Sequence, residues 1–287
     1  MSDAVTASSV RDALSGAVDA LAAAGVETPR LDAELLLAEA TRWDRARLAA
    51  EPEGGVPADA GRKFAAMVRR RLRREPVAYI LGRKGFRSIE LAVDPRVLVP
   101  RPETELLVEL ALELGPRRVL DVGTGSGAIA LAIADELPGC EVVATDTSPA
   151  ALEVARGNAE RLDLAERVGF VEGMLPDADV GWVGEEEEKA FDLIVANLPY
   201  VAETEWVDLQ PEVTEWEPRE ALLAGPDGLD VIRAAIPAAA SLAPALALEV
   251  GAGQAAAISE LLFEAGFAAV EPRPDQAGIP RVVWGRQ

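Results

Sequence analysis

Apolar residues recur three or four positions apart through the first part of the chain, as in Val10, Leu14, Val18 and Leu21. This spacing puts them on one face of a helix and predicts that the face is buried. Glycine and proline residues then divide residues 8–74 into separate helical stretches. We therefore predict a small bundle of three helices, which begin near Val10, Pro29 and Ala58.

From residue 85 onward the apolar residues no longer follow helical spacing. Phe86, Ile89, Leu91 and Val93 predict a β-hairpin within residues 85–99. After Pro100, short apolar runs alternate with helical stretches, which is typical of a mainly parallel sheet covered on both faces by helices. A loop rich in proline and glycine joins the last two runs, so we expect that pair to be antiparallel. The predicted strands lie near residues 117–122, 141–146, 167–171, 191–196, 245–250, 267–271 and 281–285.

These patterns predict an α/β protein in three parts. Residues 1–75 are expected to form a helical domain, residues 76–100 a hairpin linker, and residues 101–287 a domain built on a seven-stranded sheet. The acidic run at residues 185–188 is expected to be a solvated loop before the fourth strand.

Acidic residues are concentrated in the second part of the chain. The net charge is −21; residues 1–100 carry 16 basic and 14 acidic side chains, and residues 101–287 carry 12 basic and 35 acidic ones. Such an acidic second part would repel a phosphate backbone. We therefore do not expect nucleic acid to be the main partner.

The composition excludes several kinds of site. The chain has no histidine, which rules out a Ser-His-Asp triad and removes the commonest zinc ligand. Cys140 is the single cysteine, so we expect neither a disulfide framework nor a metal site. No apolar run approaches the roughly 18 residues that span a bilayer, and the N-terminus lacks the pattern of a signal peptide. We expect a cytoplasmic protein that does not enter the membrane.

A glycine-rich turn follows the first predicted strand of the sheet. It consists of Gly123, Thr124, Gly125, Ser126 and Gly127. At the carboxyl end of a parallel strand, such a turn lets a nucleoside-bearing cofactor approach the backbone closely. Asp146 ends the next strand, where its carboxylate could accept hydrogen bonds from two ribose hydroxyls. The spacing of Gly123, Gly125 and Ala128 also fits a dinucleotide fingerprint, so this segment alone leaves a nicotinamide cofactor open.

A second motif follows the fourth predicted strand. It consists of Asn197, Leu198, Pro199 and Tyr200. The side-chain oxygen of Asn197 and a nearby backbone carbonyl can each accept one N–H of a planar NH₂ group. Pro199 makes the turn rigid, and the ring of Tyr200 can pack on a flat substrate. Methylating a nitrogen held in this way requires positioning rather than a base of matched pKa, so the lack of histidine is no obstacle.

The two motifs together favour one reaction. Hydride transfer to or from a nicotinamide would give Asn197 no role. Methyl transfer from S-adenosylmethionine to an amide or amino nitrogen uses both the glycine-rich turn and the asparagine. We therefore predict an S-adenosylmethionine-dependent enzyme.

Six segments of the chain match the motifs of one known family. They are Arg74–Gly82, Val97–Glu105, Asp121–Gly127, Asp192–Tyr200, Glu217–Leu222 and Glu249–Gln254. On these segments the chain resembles the release factor glutamine methyltransferases, called PrmC or HemK, over nearly its whole length. The sequence Pro-Arg-Pro-Glu-Thr-Glu at residues 100–105 is the most specific of the matches.

The resemblance implies a fold and a substrate. The fold would be a Rossmann-like class I methyltransferase domain, preceded by an N-terminal helical domain that helps to recognise the substrate and by a short hairpin linker. The substrate would be the glutamine in the Gly-Gly-Gln loop of class 1 peptide chain release factors, methylated at N5 with S-adenosylmethionine as the donor.

The resemblance also assigns roles to individual residues. Cofactor binding would involve Gly123, Thr124, Gly125, Ser126, Gly127, Asp146, Asn197 and Leu175, the last beside the adenine. Substrate binding would involve Asn197, Leu198, Pro199, Tyr200, Arg101 and Glu103. The catalytic residues would be Asn197 and Pro199, which hold the amide, and Tyr200, which packs against it.

Three departures from the family pattern keep alternatives open. Leu198 stands where the family usually has proline, and Asn-Leu-Pro-Tyr resembles the motif of adenine-N6 RNA methyltransferases. An adenine-N6 methyltransferase acting on RNA or DNA is therefore an alternative, against which the acidic charge and residues 100–105 count. Met174 and Leu175 also differ from the residues usual beside the adenine. This leaves a non-catalytic binding protein as a third interpretation.

Basic residues are dense between residues 57 and 87, where ten positive charges face two acidic ones. This stretch could dock an acidic release factor or contact RNA. It could equally be the solvated face of a helix, since arginine heads remain in water easily, and we favour this second interpretation.

Overall fold

The computed structural model describes residues 8–175 and 190–287, which fall into two compact units. The first unit comprises the chain up to Gly82 together with Gln210–Trp216, and the second comprises Arg83–Leu209 and Glu217–Gln287. The acidic run at 185–188 lies outside the described residues. Within the described ranges, every helix falls short of the length and apolarity that a bilayer crossing requires.

Helices build the first unit. They are α1 (Val10–Ala23), α2 (Pro29–Thr41), α3 (Arg45–Ala50), α4 (Ala58–Arg71) and α5 (Val77–Leu81), and the later segment Gln210–Trp216 adds the short helix α9 (Pro211–Thr214). The three predicted helices are confirmed, since they correspond to α1, α2 and α4. Helices α3 and α5 were not predicted, because six and five residues are too few for an apolar period to show.

The core of the first unit forms where the apolar faces of these helices meet. Leu14 and Leu21 of α1 pack with Leu36 of α2 and Phe64 of α4, and each of these side chains is buried. Ser9 caps the start of α1, and its hydroxyl accepts a hydrogen bond from the backbone N–H of Asp12. A serine in this position satisfies one of the free N–H groups at the start of a helix.

The basic stretch contributes to the interior of the first unit. Arg71 is only 5% exposed; its guanidinium lies 2.6 Å from Asp32 Oδ2 and 2.6 Å from Glu212 Oε1. Arg74 donates to both oxygens of Glu212, at 2.8 Å from Nε and 2.5 Å from Nη2. The interpretation of this stretch as a solvated helix face is therefore wrong for these two arginines. A buried guanidinium needs carboxylate partners, and folding supplies them from distant parts of the chain.

Glu212→Ala is expected to lower the free energy of unfolding by about 3 kcal/mol, because it leaves two largely buried guanidinium groups short of a partner. Chemical denaturation measures the change. Glu53→Ala is the matched control, since its ion pair with Arg11 is exposed, and a change below about 1 kcal/mol is expected. An equal loss of unfolding free energy in the two variants would show that the buried ion pairs stabilise the fold no more than the exposed pair does.

The second unit begins with the predicted hairpin, formed by β1 (Arg83–Phe86) and β2 (Ile89–Ala92). A seven-stranded sheet follows, with strand order β5-β4-β3-β6-β7-β9-β8. Its strands are β3 (Arg118–Val122), β4 (Glu141–Asp146), β5 (Val168–Glu172), β6 (Leu193–Ala196), β7 (Ala245–Glu249), β8 (Ala269–Pro274) and β9 (Pro280–Arg286). Strands β3 to β7 are parallel, whereas β9 is antiparallel to both of its neighbours. The predicted mainly parallel sheet with an antiparallel last pair is confirmed.

In the described part of the chain, five helices pack on this sheet. They are α6 (Glu105–Leu114), α7 (Ala128–Glu136), α8 (Pro149–Arg161), α10 (Asp230–Leu242) and α11 (Ala255–Glu264). From β3 the chain adds strands in one direction through β4 to β5, and from β6 it adds strands in the other direction. Right-handed connections then place α7 and α8 on one face and α10 on the other. The direction reverses between β3 and β6, which is where an open sheet of this kind binds its ligands.

Candidate active site

Strand register brings the two sequence motifs together at the carboxyl edge of the sheet. Strands β4, β3, β6 and β7 end at the same level of the sheet. The residues at these strand ends therefore form a row across the four neighbouring strands: Asp146, Gly123, Asn197 and Glu249. The pairs that set this register are Thr145 with Val122, Val122 with Ala196, and Ala196 with Leu248. Two motifs that are far apart in the sequence therefore adjoin because β3 and β6 are neighbours.

A cavity of about 290 Å³ lies at this edge of the second unit. Several residues expected to bind cofactor or substrate line it: Gly123, Thr124, Gly125, Ser126, Asp146, Asn197, Leu198 and Pro199. Thr104 and Pro218 also line it, although neither was expected to. The remaining expected residues are not among the described residues of its wall: Gly127, Leu175, Tyr200, Arg101 and Glu103.

The glycine-rich turn is held by backbone hydrogen bonds to the neighbouring strand. The N–H groups of Gly123 and Thr124 both donate to the Thr145 carbonyl at 2.9 Å. Gly123 has a φ of +74°, and a Cβ there would stand 3.7 Å from the Asn197 carbonyl oxygen. Positive φ is the region that glycine adopts without strain, so this residue lets the chain reverse beside Asn197.

Asp121 holds the turn from beneath. Its Oδ2 accepts hydrogen bonds from the Thr124 hydroxyl at 2.7 Å and from the Ala130 N–H at 3.1 Å, which joins the turn to the start of α7. Burial raises the pKa of the Asp121 carboxyl to about 7. Asp121 was not predicted to be a residue of the site.

Asp146 lines the cavity with a carboxylate that is already oriented. Its Oδ2 accepts from the Gly125 N–H and its Oδ1 from the Ser148 N–H, each at 2.9 Å. An ionised carboxylate has about four acceptor positions, so both oxygens can accept further hydrogen bonds. A pair of ribose hydroxyls matches these remaining positions.

Asn197 is anchored by only one end of its side-chain amide. Its Nδ2 donates to the Thr104 hydroxyl oxygen at 3.2 Å. Its Oδ1 accepts no hydrogen bond from any described residue, and the carbonyl groups of Leu198 and Pro199 accept none from the described backbone or side chains. Three acceptor oxygens are thus available beside the cavity, as the clamp for an NH₂ group requires.

The side chain of Leu198 packs in the core. The side chain is 4% exposed and belongs to the core beneath the sheet, where its Cδ2 would lie 3.4 Å from a Cβ on Gly123. A leucine therefore fills space beside the glycine-rich turn. Its backbone carbonyl remains available at the cavity.

Tyr200 and Glu249 meet behind the cavity. The Tyr200 hydroxyl donates to Glu249 Oε1 at 3.4 Å, and the Tyr200 carbonyl accepts from Gln254 Nε2 at 2.9 Å. Burial raises the pKa of the Tyr200 phenol above its usual value. Burial also raises the pKa of the Glu249 carboxyl to about 7, although the hydroxyl groups of Thr104 and Tyr200 oppose this shift. Glu249, the last residue of β7, thus holds the hydroxyl of Tyr200, and Gln254 holds its backbone carbonyl.

Arg101, Glu103 and Leu175 were also expected at the site, and none of them is among the described residues that line the cavity. The Arg101 guanidinium is bound by the buried Glu217 carboxylate, with Nη2 at 2.7 and 2.8 Å from its two oxygens. This pair holds residues 217–222 beside the Pro-Arg-Pro-Glu-Thr-Glu segment. Glu103 is partly exposed, and Leu175 packs against the core. Met174, next to Leu175, lines the cavity.

Thr104, Glu217 and Glu249 were not expected among the residues of the site. Each stands inside a segment that carried the family resemblance, and this was the available signal. Their spatial relation to Asn197 or to Arg101 depends on the order and register of the strands. A single sequence does not reveal that register.

Glu249→Gln is expected to stabilise the protein at high pH. A folded-state pKa near 7, above the usual 4.5, means that stability falls as the pH rises from about 4.5 to about 7. The raised pKa corresponds to a loss of about 3 kcal/mol in the free energy of unfolding at pH 8. A neutral glutamine would avoid this loss. Denaturation at pH 8 and at pH 4 measures the difference between variant and parent. An equal difference at both pH values would show that the carboxylate is not the cause.

The sheet order and the cavity at its reversal point define a class I methyltransferase domain. A family model described as "Methyltransferase domain" matches residues 119–216, and one described as "PrmC N-terminal domain" matches residues 12–82. The fold is similar to the hMettl16 catalytic domain solved in complex with MAT2A 3'UTR hairpin 6, with a TM-score of 0.54, 16% identity and coverage of 68% of this chain and 75% of that one. It is also similar to a methyltransferase from Pyrococcus furiosus, with a TM-score of 0.51, 20% identity and coverage of 71% and 91%.

Relatives with higher identity define the family. A release factor glutamine methyltransferase of Cereibacter sphaeroides is 44% identical over 96% of this chain and 97% of its own length. Another, of Geobacter sulfurreducens, is 42% identical over 93% of this chain and 92% of its own length. The chain belongs to the release factor glutamine methyltransferase family. The predicted resemblance, fold class and enzyme class are confirmed.

Proposed function

We propose that this enzyme transfers a methyl group from S-adenosylmethionine to the side-chain N5 of the glutamine in the Gly-Gly-Gln motif of class 1 peptide chain release factors. The observation that carries the proposal is the state of Asn197. Its nitrogen donates a hydrogen bond to Thr104, and its oxygen accepts none from the described residues, while Asn197 and the glycine-rich turn line the same cavity. The release factor methyltransferases to which the chain is similar support this choice of substrate.

The chemistry of the residues that line the cavity supports S-adenosylmethionine as the cofactor. Gly123–Gly127 would let the nucleoside approach the backbone, and Asp146 would accept hydrogen bonds from its ribose hydroxyls. Met174 and Leu175 would pack beside the adenine, the first at the cavity wall and the second from the core. When bound, the cofactor supplies a methyl group on a positively charged sulfur.

The protein must orient a poor nucleophile, because the nitrogen lone pair of an amide is delocalised into its carbonyl group. Asn197 Oδ1 and one of the unpaired carbonyls at Leu198 and Pro199 would each accept one N–H of the substrate amide. The lone pair would then point away from the two acceptors. Fixing a near-attack geometry in this way contributes to the rate. The proton that the nitrogen loses on methylation would pass to solvent, so no proton-transfer group is required.

The proposed roles of Pro199 and Tyr200 are structural. Pro199 has no N–H and a fixed φ, so it holds the turn that presents the carbonyl oxygens. Tyr200 would limit the space beside the amide from its place against Glu249. Arg101 would act through Glu217, and the partly exposed Glu103 would contact the substrate directly.

We further propose that the helical first unit contacts the release factor. The match of residues 12–82 to the N-terminal domain model of the family supports this role. A cytoplasmic location stays a prediction. Labelling a release factor in parallel with RNA and DNA distinguishes a protein substrate from a nucleic-acid substrate.

Purified enzyme with methyl-labelled S-adenosylmethionine is expected to label a class 1 release factor on the glutamine of Gly-Gly-Gln, as located by mass spectrometry. A release factor with that glutamine changed to alanine is the matched control and should remain unlabelled. Ribosomal RNA and a DNA duplex are tested in parallel. Label that enters only the nucleic acid would overturn the proposal in favour of adenine methylation.

A further inference from the structure

The geometry points to Gln254 as a positioning residue, which acts through Tyr200 to fix the carbonyl oxygens of the Asn197–Tyr200 motif for methyl transfer. The inference rests on the proposed function, because it takes these oxygens as acceptors for the substrate NH₂ group. Gln254 stands directly before α11 and is not among the described residues that line the cavity. Its effect on the reaction must therefore pass through the residues that it contacts.

Both ends of the Gln254 side-chain amide are hydrogen-bonded. Its Nε2 donates to the Tyr200 carbonyl oxygen at 2.9 Å, and its Oε1 accepts from the Gly251 N–H at 2.8 Å. A backbone carbonyl only accepts and a backbone N–H only donates, so a single orientation of the amide satisfies both contacts. A side chain with one donor end and one acceptor end thus joins the segment after β7 to the motif.

Two glycines leave the space for this contact. A Cβ at Gly228 would stand 2.3 Å from the Tyr200 carbonyl oxygen and 2.9 Å from Gln254 Nε2. A Cβ at Gly251 would stand 2.8 Å from Gln254 Oε1. These distances are well below the roughly 3.5–4.0 Å of an optimal contact between carbon atoms. A larger residue at either position would therefore displace the Tyr200 carbonyl or the amide that holds it.

The peptide group between Tyr200 and Val201 is held on two sides. Its carbonyl accepts from Gln254, and its N–H, which belongs to Val201, donates to the Leu222 carbonyl at 2.8 Å. A peptide group is planar, so two contacts on opposite sides fix how its plane is turned. Without the Gln254 contact, the Leu222 hydrogen bond would hold this plane from one side.

This peptide group influences the direction of the acceptor carbonyls that precede it. The carbonyls of Leu198 and Pro199 accept no hydrogen bond from the described backbone, so no backbone partner fixes them directly. The ring of Pro199 fixes its φ, and Gln254 fixes the peptide group after Tyr200. The Pro199 carbonyl lies between these two fixed points, so its direction depends on both. Gln254 therefore positions an oxygen that is proposed to accept a substrate N–H.

Two substitutions of Gln254 separate the two ends of its side chain. Gln254→Glu keeps an acceptor for the Gly251 N–H, but at pH 8 it places a carboxylate oxygen against the Tyr200 carbonyl, and two acceptors cannot share a hydrogen bond. Gln254→Met removes both contacts. Gln276→Glu makes the same change of charge at an exposed position and is the matched control.

The first measurement observes the Tyr200 carbonyl and needs no substrate. The chain has two tyrosines, so labelling the tyrosine carbonyl carbon with ¹³C gives two signals in an NMR spectrum. The Tyr79 carbonyl, which accepts from Arg70 Nη2 at 3.3 Å within the first unit, is the internal control. The Tyr200 signal is expected to move in both Gln254 variants and to keep its parent position in Gln276→Glu. A Tyr200 signal that does not move in Gln254→Met would overturn the inference.

Steady-state methylation of the release factor at pH 8 gives the second measurement. Both Gln254 variants should lower kcat by about tenfold to a hundredfold, since a displacement of about 1 Å can cost a hundredfold in rate. The KM for the release factor should change less than kcat, and the Kd of the product cofactor should stay within about twofold. Gln276→Glu should match the parent. A parental kcat in Gln254→Glu would overturn the inference, and so would a loss that only follows a smaller folded fraction.

Gly228→Ala reaches the same carbonyl from another segment. The added methyl group would displace the Tyr200 carbonyl, so kcat should fall as it does in Gln254→Met. Gly278→Ala is the matched control for backbone strain, because Gly278 has a similar φ of +80° but its Cβ would meet nothing within 4 Å. A parental kcat in Gly228→Ala would contradict the inference. If the parent enzyme methylates no release factor, the proposed function fails, whereas the ¹³C signal still decides whether Gln254 holds Tyr200.

Discussion

Asn197→Ala is expected to lower kcat for release factor methylation by about a thousandfold, at the upper end of the loss seen when one preorganised polar group is removed from an active site. Alanine removes the Oδ1 acceptor and leaves the amide lone pair without a fixed direction. The Kd of the product cofactor should change by no more than a few-fold, because the wall formed by Gly123–Ser126 and Asp146 stays in place. Single-turnover methylation and calorimetry measure the two quantities separately.

Thr204→Ala is the matched control for this substitution, because Thr204 is exposed in the loop that follows the motif. Its kcat should equal that of the parent. Asn197→Asp is informative as well, since it keeps acceptor oxygens but loses the N–H that donates to Thr104. If Asn197→Ala weakens cofactor binding as much as it slows transfer, the assigned role of Asn197 is wrong.

Asp146→Ala is expected to weaken cofactor binding by about a hundredfold. A hydrogen bond to a charged acceptor contributes about 1.5–3 kcal/mol, and 1.4 kcal/mol corresponds to tenfold in affinity, so the loss of two ribose contacts gives at least this factor. The substitution also leaves the N–H groups of Gly125 and Ser148 without their acceptor, which loosens the turn. Calorimetric titration with the product cofactor measures the Kd.

Asp146→Asn separates charge from shape. It keeps one acceptor oxygen at nearly the same volume, so its Kd should fall between those of the parent and of Asp146→Ala. Thermal denaturation of each variant without cofactor tests whether the turn remains folded. An affinity within about twofold of the parent in Asp146→Ala would show that this carboxylate does not hold the ribose.

The elements that the sequence predicted well are those with a strong local signal. Strands β3, β4, β6 and β7 are buried along most or all of their length, so each appears as a short apolar run, and their predicted positions agree with the structure to within two residues. Helices α1, α2 and α4 carry several turns of apolar period. The missed helices α3 and α5 are too short to carry one.

The predictions about the site depended on residues that are adjacent in the sequence. The turn at Gly123–Gly127 and the motif at Asn197–Tyr200 are both contiguous, and each predicts a local geometry. Leu198 could not be interpreted in this way, because whether it faces the substrate or the core depends on the packing beside Gly123. Arg71 shows the same limit, since its partners Asp32 and Glu212 come from distant parts of the chain.

The sequence by itself determined the alternation of strands and helices, the glycine-rich turn, the motif at Asn197–Tyr200 and the absence of any histidine base. These properties follow from neighbouring residues or from composition. Only the tertiary structure decided that Thr104 hydrogen-bonds to Asn197 and that Arg101 is bound by Glu217. Such contacts depend on strand order and register, which place residues side by side across the sheet whatever their separation along the chain.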